Sequence, residues 1–459
     1  MKNTRSLFII SILSMGLFMA ACSGGERDRS QLTDERAFEN PEWSKDAVLY
    51  ELNVRQFSEE GTFSAVESRV DELAALGVDV IWFMPIHPIG EVNRKGTLGS
   101  YYSIKDFRDV NPEFGTLDDF RSLVDRIHQA GMYVMMDWVP NHSSWDNRLA
   151  EEHPDWYVRD ESGGFVSPYD WTDVIQFDWS SEGLQDYMAD ALVYWVEDID
   201  VDGFRVDHPH VTPADFWLRV RLEMEKVKPV LMLAENEDRV EFFQNGYDIN
   251  YSWELHHLMN QVAQGKDTAD VLHQALMRDQ ERFPDHAYRL RFITNHDENS
   301  WAGTIEERLG EAHEAMAVFM YTIPGMPLLY NGQEAGLNKR LEFFERDPIE
   351  WHESYLRDFY TSLNRLKKEN PALHNGKWGG DFNAYSVTGD DDVYVYARTK
   401  DDNRVVTIIN FDDEAAEFSL DADVAGDYSD YFSGETMSIS GDGVLVLDGW
   451  GYMVLVGRE

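Results

Sequence analysis

Past residue 40 the chain alternates two kinds of segment. Short apolar runs stand at Val48–Val54, Val78–Met84, Tyr133–Val139, Gly203–Asp207, Val230–Ala234, Tyr247–Ile249, Arg289–Thr294 and Pro327–Tyr330. Most are apolar at successive positions, the pattern of parallel strands covered on both faces. Between them lie stretches of helical period. Ser64–Leu76 opens with Ser64 and Glu67 in capping-box spacing and puts Val66, Val70, Leu73 and Ala74 on one face before Gly77. Thr116 reads as the N-cap of a helix with Phe120, Leu123, Val124 and Ile127 on one stripe, stopping at Gly131. Leu184, Met188, Ala191, Leu192 and Trp195 repeat the pattern, and Thr212–Pro213 reads as a further helix start. Eight strands alternating with helices predict a (β/α)8 barrel.

Two stretches break the alternation. About 60 residues separate Val139 from Gly203, and a helix fills only their last third. The segment 141–179, rich in Trp, Asp, Pro and Gly, reads as a small domain inserted after the third strand, leaving 41–140 and 180–372 for the barrel. From 373 to 459 the pattern turns to short alternating strands, such as Val393–Arg398, Arg404–Phe411 and Val444–Leu447, separated by Asp/Gly turns. This predicts a C-terminal all-β sandwich.

The N-terminus has another logic. Lys2 and Arg5 precede an apolar stretch, Leu7–Met19, which is too short to span a bilayer comfortably. Ala20 and Ala21 then precede Cys22, the single cysteine, so no intrachain disulfide can form. Residues 1–22 read as a signal peptide. The small residues before Cys22 resemble a bacterial lipoprotein cleavage site, which implies lipidation at Cys22, a membrane partner through that anchor, and residues 23–40 as a flexible tether. The alternative is a plain signal peptide with an incidental cysteine.

Charge narrows the ligand. Forty Lys+Arg against 85 Asp+Glu give a net charge of −45 in 459 residues. Such a field repels nucleic acid and leaves neutral sugars unaffected. The acid excess fits either plain solubility or a protein adapted to high salt.

The candidate chemistry sits where barrel enzymes keep it, at the C-terminal ends of strands. The third strand ends Asp137-Trp138-Val139-Pro140-Asn141-His142, the fourth Arg205-Val206-Asp207, the fifth Ala234-Glu235-Asn236 and the seventh Thr294-Asn295-His296-Asp297. One acid at a strand end is ordinarily a cap. Four strands bringing Asp, Asp, Glu and Asp with Arg and His to one mouth is electrostatically costly and therefore points to function.

These four segments resemble the conserved regions of the α-amylase family, glycoside hydrolase family 13. So do Gly99–Ile104 with Val110–Thr116, and Pro324–Pro327 with Tyr330–Glu334. The resemblance implies a retaining glycosidase with Asp207 as nucleophile, Glu235 as acid/base and Asp297 as a third acid that distorts the sugar. Arg205 would keep Asp207 ionised, and neighbouring carboxylates would raise Glu235. Tyr102, His142, His296, His210 and Asn295 fall at or beside its sugar-binding positions, Tyr102 beneath the reacting ring. Asp137 would serve structure beside Arg205. Many members hold a structural calcium. Here the resemblance puts ligands at Asn141 and the His210 carbonyl, with Gln176 where an aspartate is common. The activity implied is hydrolysis of α-1,4 bonds in starch-type glucans or maltooligosaccharides. The alternatives are transglycosylation through the same intermediate and a non-catalytic glycan-binding protein, which would be expected to lack one of the three acids. Trp145, Trp156, Tyr169, Trp171 and Trp179 of the insertion read as a small core or as subsite walls. Asn93, Arg94 and Lys95 read as surface.

Overall fold

The computed structural model describes residues 36–420, 422–440 and 443–458. The expected signal segment with Cys22, and residues 23–35 of the expected tether, lie outside the described residues; the last part of that tether is not free, since Phe38 and Asn40 are buried. The strands in chain order are β1 (Leu49–Leu52), β2 (Val80–Phe83), β3 (Tyr133–Trp138), β4 (His142–Ser144), β5 (Val174–Gln176), β6 (Gly203–Val206), β7 (Leu231–Ala234), β8 (Ile249–Tyr251), β9 (Tyr288–Arg291) and β10 (Met326–Tyr330). All but β4 and β5 form one closed parallel barrel in the order β1-β2-β3-β6-β7-β8-β9-β10. Each of the eight expected strands is there, offset by at most a few residues at its ends. Among the described residues no helix is long and apolar enough to cross a membrane.

Two apolar layers explain why these strands lack alternation. Leu49, Val80, Trp82, Met135, Leu231, Leu233, Ile249, Leu290, Met326 and Leu328 fill the barrel interior. Their neighbours Tyr50, Ile81, Val134 and Met136 point outward onto helix residues such as Leu123, Ile127, Leu192 and Trp195. At Gly203 a side chain is barred: a Cβ there would lie 1.9 Å from the Leu231 carbonyl oxygen of β7. Backbone contact at that point fixes where β6 carries Arg205 and Asp207.

The helix starting at Thr116 forms as expected, with a capping box to Asp119 over Leu117–Gln129. Two expectations need correction. Ser64–Leu76 is not one helix but two, Phe63–Glu67 and Val70–Leu76, and the first cap is Thr62, whose hydroxyl accepts from the Ala65 N–H. Thr212–Pro213 does not open a helix; the Thr212 hydroxyl donates to the Pro209 carbonyl, and the helix begins at Phe216.

Between β3 and β6 the chain makes the antiparallel pair β4–β5, with His142 opposite Gln176. Trp156 and Trp179 are buried there, and the Trp179 N–H donates to the Pro140 carbonyl. These two tryptophans are core, not subsite wall. The C-terminal strands are β11 (Asp381–Tyr385), β12 (Val387–Thr388), β13 (Val393–Lys400), β14 (Asn403–Asn410), β15 (Ala416–Leu420), β16 (Gly426–Asp430), β17 (Thr436–Ile439), β18 (Val444–Leu447) and β19 (Tyr452–Arg458). They make a six-stranded sheet, β11-β13-β14-β19-β16-β17, and a three-stranded sheet, β12-β15-β18. Val395, Val406 and Ile408 of the first pack on Phe418, Leu420 and Leu447 of the second, which is the expected all-β sandwich.

Candidate active site

A cavity of about 440 Å3 opens at the C-terminal end of the barrel. Asp207, Glu235, Asp297, Tyr102, His142 and His296 line it. Arg205 lies beneath and ties three acids from three strands together. Its Nη1 is 2.9 Å from Asp137 Oδ1 and 3.0 Å from Asp207 Oδ1, and its Nη2 is 2.7 Å from Glu235 Oε1. The guanidinium is almost wholly buried, so its charge acts with little screening. Carboxylate oxygens of Asp207 and Glu235 and a ring nitrogen of His208 lie within 4.8 Å of one another.

Neutral and charged imidazoles divide the site. Burial lowers His142 to about 3. The neutral ring donates from Nε2 to the Tyr102 carbonyl (3.1 Å) and accepts at Nδ1 from the Asn141 amide (3.1 Å). Burial would lower His296 as well, but Asp297 and Glu51 outweigh it and raise the ring to about 9. The imidazolium donates from Nδ1 to Glu51 Oε1, while its Nε2 lies 2.9 Å from the Tyr102 hydroxyl and 3.5 Å from Asp297 Oδ2. The Tyr102 hydroxyl passes the chain on to Asp137 Oδ2 at 3.1 Å. Burial raises Asp137 to about 6 despite Arg205 and His296.

Asp207 and Glu235 crowd each other beside one buried guanidinium, so the pair resists carrying two negative charges. Burial and the adjacent Glu235 push Asp207 well up, against the pull of Arg205. Burial also favours neutral Glu235, but Arg205, His208 and the His208 N–H at 3.1 Å outweigh it and hold Glu235 below the usual carboxylate range.

The structure does not bring every expected residue to the cavity. Asn295 acts locally, its Oδ1 accepting the Glu298 N–H at 2.8 Å where a π-helical turn, Glu298–Ala302, follows Asp297. His210 is exposed and does not line the cavity; His208, two residues earlier, takes that place. The calcium expectation fits poorly. Asn141, Gln176 and the His210 carbonyl supply amides and a carbonyl but no carboxylate, and a hard cation depends on carboxylates.

Several residues of the site, in the cavity wall or behind it, were missed or placed differently by the sequence reading. Glu51 of β1 is fully buried as the partner of His296. Its only signal was a lone acid inside an apolar strand. Trp301 comes from the π-helical turn, and Phe343 and Phe344 from a loop without periodicity. Lys95, expected at the surface, faces the cavity and pairs with Asp173. Of the aromatics in the insertion, Trp171 lines the cavity, and the Trp145 N–H donates to the Thr172 carbonyl.

Known proteins are similar in sequence and fold. Residues 33–354 match the α-amylase catalytic domain and residues 386–454 the maltogenic amylase C-terminal domain. The chain is 30% identical over 429 residues to the α-amylase MalA of Haloarcula japonica, covering 89% of this chain but 61% of that protein. Its fold is similar to that of the maltogenic α-amylase AmyB of Thermotoga neapolitana, with TM-score 0.83 and 28% identity over 91% of this chain and 100% of that one. An α-amylase from Lactobacillus plantarum gives TM-score 0.82 and 30% identity over 90% and 99% of the two chains. A parallel barrel with this acid set at its mouth, an all-β C-terminal domain and sequence matches over both identify the chain as a member of the α-amylase family of glycoside hydrolases.

Proposed function

We propose that the chain is a retaining glycosidase that cleaves α-1,4-glucosidic bonds in starch-type glucans or maltooligosaccharides. The carrying observation is the closeness of Asp207 and Glu235, with carboxylate oxygens no more than 4.8 Å apart at an open cavity. Retaining enzymes hold the two carboxyls about 5–5.5 Å apart, whereas inverting enzymes leave room for water at about 6.5–9.5 Å. The α-glucan substrate is supported by the relatives named above.

In the first step an Asp207 oxygen attacks the anomeric carbon and the bond to the leaving oxygen breaks. Glu235 gives that oxygen its proton. In the second step water attacks the same carbon, Glu235 takes its proton, and the bond to Asp207 breaks. The pair needs its proton on Glu235 when substrate is bound. A sugar filling the cavity shuts water away from Glu235, which favours its neutral form, while Arg205 at 3.0 Å favours ionised Asp207. His142, His296 and Asp297 offer donors and acceptors to the ring hydroxyls, and the flat face of Tyr102 packs beneath the sugar. No step passes through calcium.

The test is product analysis on maltoheptaose, soluble starch and pullulan with an Asp207→Asn control. Reducing sugar should appear from at least one substrate, and the control should lose several orders of magnitude in kcat. No turnover on any α-glucan removes the assignment. Transfer to a sugar hydroxyl instead of water shares the first step and would show as products longer than the substrate.

We also propose that the protein is exported and held to a membrane by lipid on Cys22, a reading supported by the layout of residues 1–22. Replacing Cys22 by Ser should move the protein from the membrane fraction to the soluble one; unchanged fractionation rules the anchor out.

A further inference from the structure

The catalytic reading above gives the cavity a direction. Glu235 must face the leaving sugar. Around it stand His208, with Trp171 and Tyr169 at 5.2 and 6.1 Å from the His208 ring, and Tyr169 is exposed. The transferred sugar then lies over Tyr102, with its chain running away from Glu235.

Beyond Tyr102 three separate segments join into a continuous wall. The loop after β10 stacks Phe343 on Tyr102, ring centroids 6.2 Å apart and 11° from parallel. This loop is clasped to the loop after β2. The Leu98 N–H donates to the Phe344 carbonyl at 3.1 Å, the Thr97 N–H to Glu345 Oε1 at 2.8 Å, and the Thr97 hydroxyl also meets Glu345. The clasp is tight enough to need glycine at 96: φ is 63°, and a Cβ would meet that of Phe344 at 2.5 Å. The loop after β2 then reaches the insertion through Lys95, whose Nζ lies 3.2 Å from Asp173 Oδ1. Asp173 is itself anchored, its carbonyl accepting from the Ser103 hydroxyl at 3.2 Å. Both Lys95 and Asp173 face the cavity, and the Asp173 side chain is 5% exposed.

We propose that this wall, closed by the Lys95–Asp173 pair, ends the cavity on the transferred-sugar side and makes the enzyme attack glucan chains from their non-reducing end. The inference rests on the glycosidase reading and adds to it the form of substrate taken. A chain end presents free hydroxyls, and an ammonium with a carboxylate offers both donors and an acceptor to bind them. A glucan running through would have to break the pair. On the leaving side, Trp171 and His208 line the cavity and the neighbouring Tyr169 is exposed, which leaves the rest of the chain a way out.

The experiment compares maltoheptaose with the same oligosaccharide capped by a 4,6-ethylidene group at its non-reducing end. The wild-type protein and the Lys95→Ala and Asp173→Asn variants are assayed for kcat/KM, with melting temperature as a folding control. The wild type should prefer the uncapped substrate by at least about 100-fold, well inside the roughly 10^4-fold by which a site built around hydroxyls rejects an analogue without them. Lys95→Ala should narrow that ratio by about tenfold or more and make starch viscosity fall earlier relative to reducing-sugar release. Equal cleavage of capped and uncapped substrate by the wild type overturns the inference and leaves the glycosidase reading intact. A large preference that neither variant narrows also overturns it, because the barrier then lies elsewhere. Absence of turnover on either substrate removes both.

Discussion

Glu51 is a carboxylate buried within β1, with the His296 imidazolium as its partner, and replacing it by Gln tests the charge arrangement at the mouth. The change keeps the shape and removes one negative charge. His296 stands at about 9, against an ordinary value of 6.5, so the acids around it outweigh burial by about 2.5 units. At about 1.4 kcal/mol per unit that is about 3 kcal/mol in favour of the charged ring. Asp297 is the larger contributor and remains in the variant, but its side chain is 41% exposed and 3.5 Å away. A loss of about one to two units, or about 1–3 kcal/mol, is therefore expected from removing Glu51. The sign follows from linkage. A histidine raised in the folded state adds stability that is complete below its unfolded value near 6.5 and is lost as pH rises through about 9. Glu51→Gln should thus be less stable than wild type at about pH 6 by that amount, and the gap should shrink toward about pH 10. Denaturant unfolding across this range measures it. The basic limb of kcat/KM against pH should move down by the same one to two units. A stability gap that does not change with pH, or an unmoved basic limb, would falsify the assignment of a charged His296 held by Glu51.

Glu235→Gln should cut kcat by about 100-fold or more on maltooligosaccharides but much less on an aryl glucoside whose leaving group needs no proton. Azide should restore turnover on the aryl substrate as a glycosyl azide of retained α configuration; an equal loss on both substrates would show that Glu235 is not the proton donor. Thr116→Ala removes the hydroxyl that accepts the Asp119 N–H and should cost about 0.5–2 kcal/mol in unfolding with kcat unchanged. No loss of stability would mean that water replaces the cap.

The barrel strands were readable because each carries apolar residues on both faces, and Leu49 or Val80 inside and Tyr50 or Ile81 outside had to be apolar for different neighbours. The break at Ser68–Arg69 was hidden, since the apolar stripe of Val66, Val70 and Leu73 continues across it and exposed Ser68 gives no stop signal. Thr212–Pro213 carried a sound start signal that the Pro209–Val211 turn used instead. At the site, residues in strand-end motifs were legible, and five of them, His142, Asp207, Glu235, His296 and Asp297, line one cavity. Residues whose role comes only from three-dimensional neighbours were not. Lys95 looks like any loop lysine until Asp173, far along the chain, is folded against it. The positions of Asn295 and His210 depend on how the chain turns after Asp297 and Asp207, which residue identity alone does not fix.

The bare backbone of β6 at Gly203 has a practical consequence. Because the neighbouring carbonyl occupies the space of the missing methyl group, even alanine must prise two staves of the cylinder apart, and the displacement would be handed along four residues to the proposed nucleophile. A mutagenesis library aimed at new specificities should therefore leave codon 203 untouched and spend its diversity on the rim loops. Inactive clones altered there would report a shifted scaffold, not a lost chemical group.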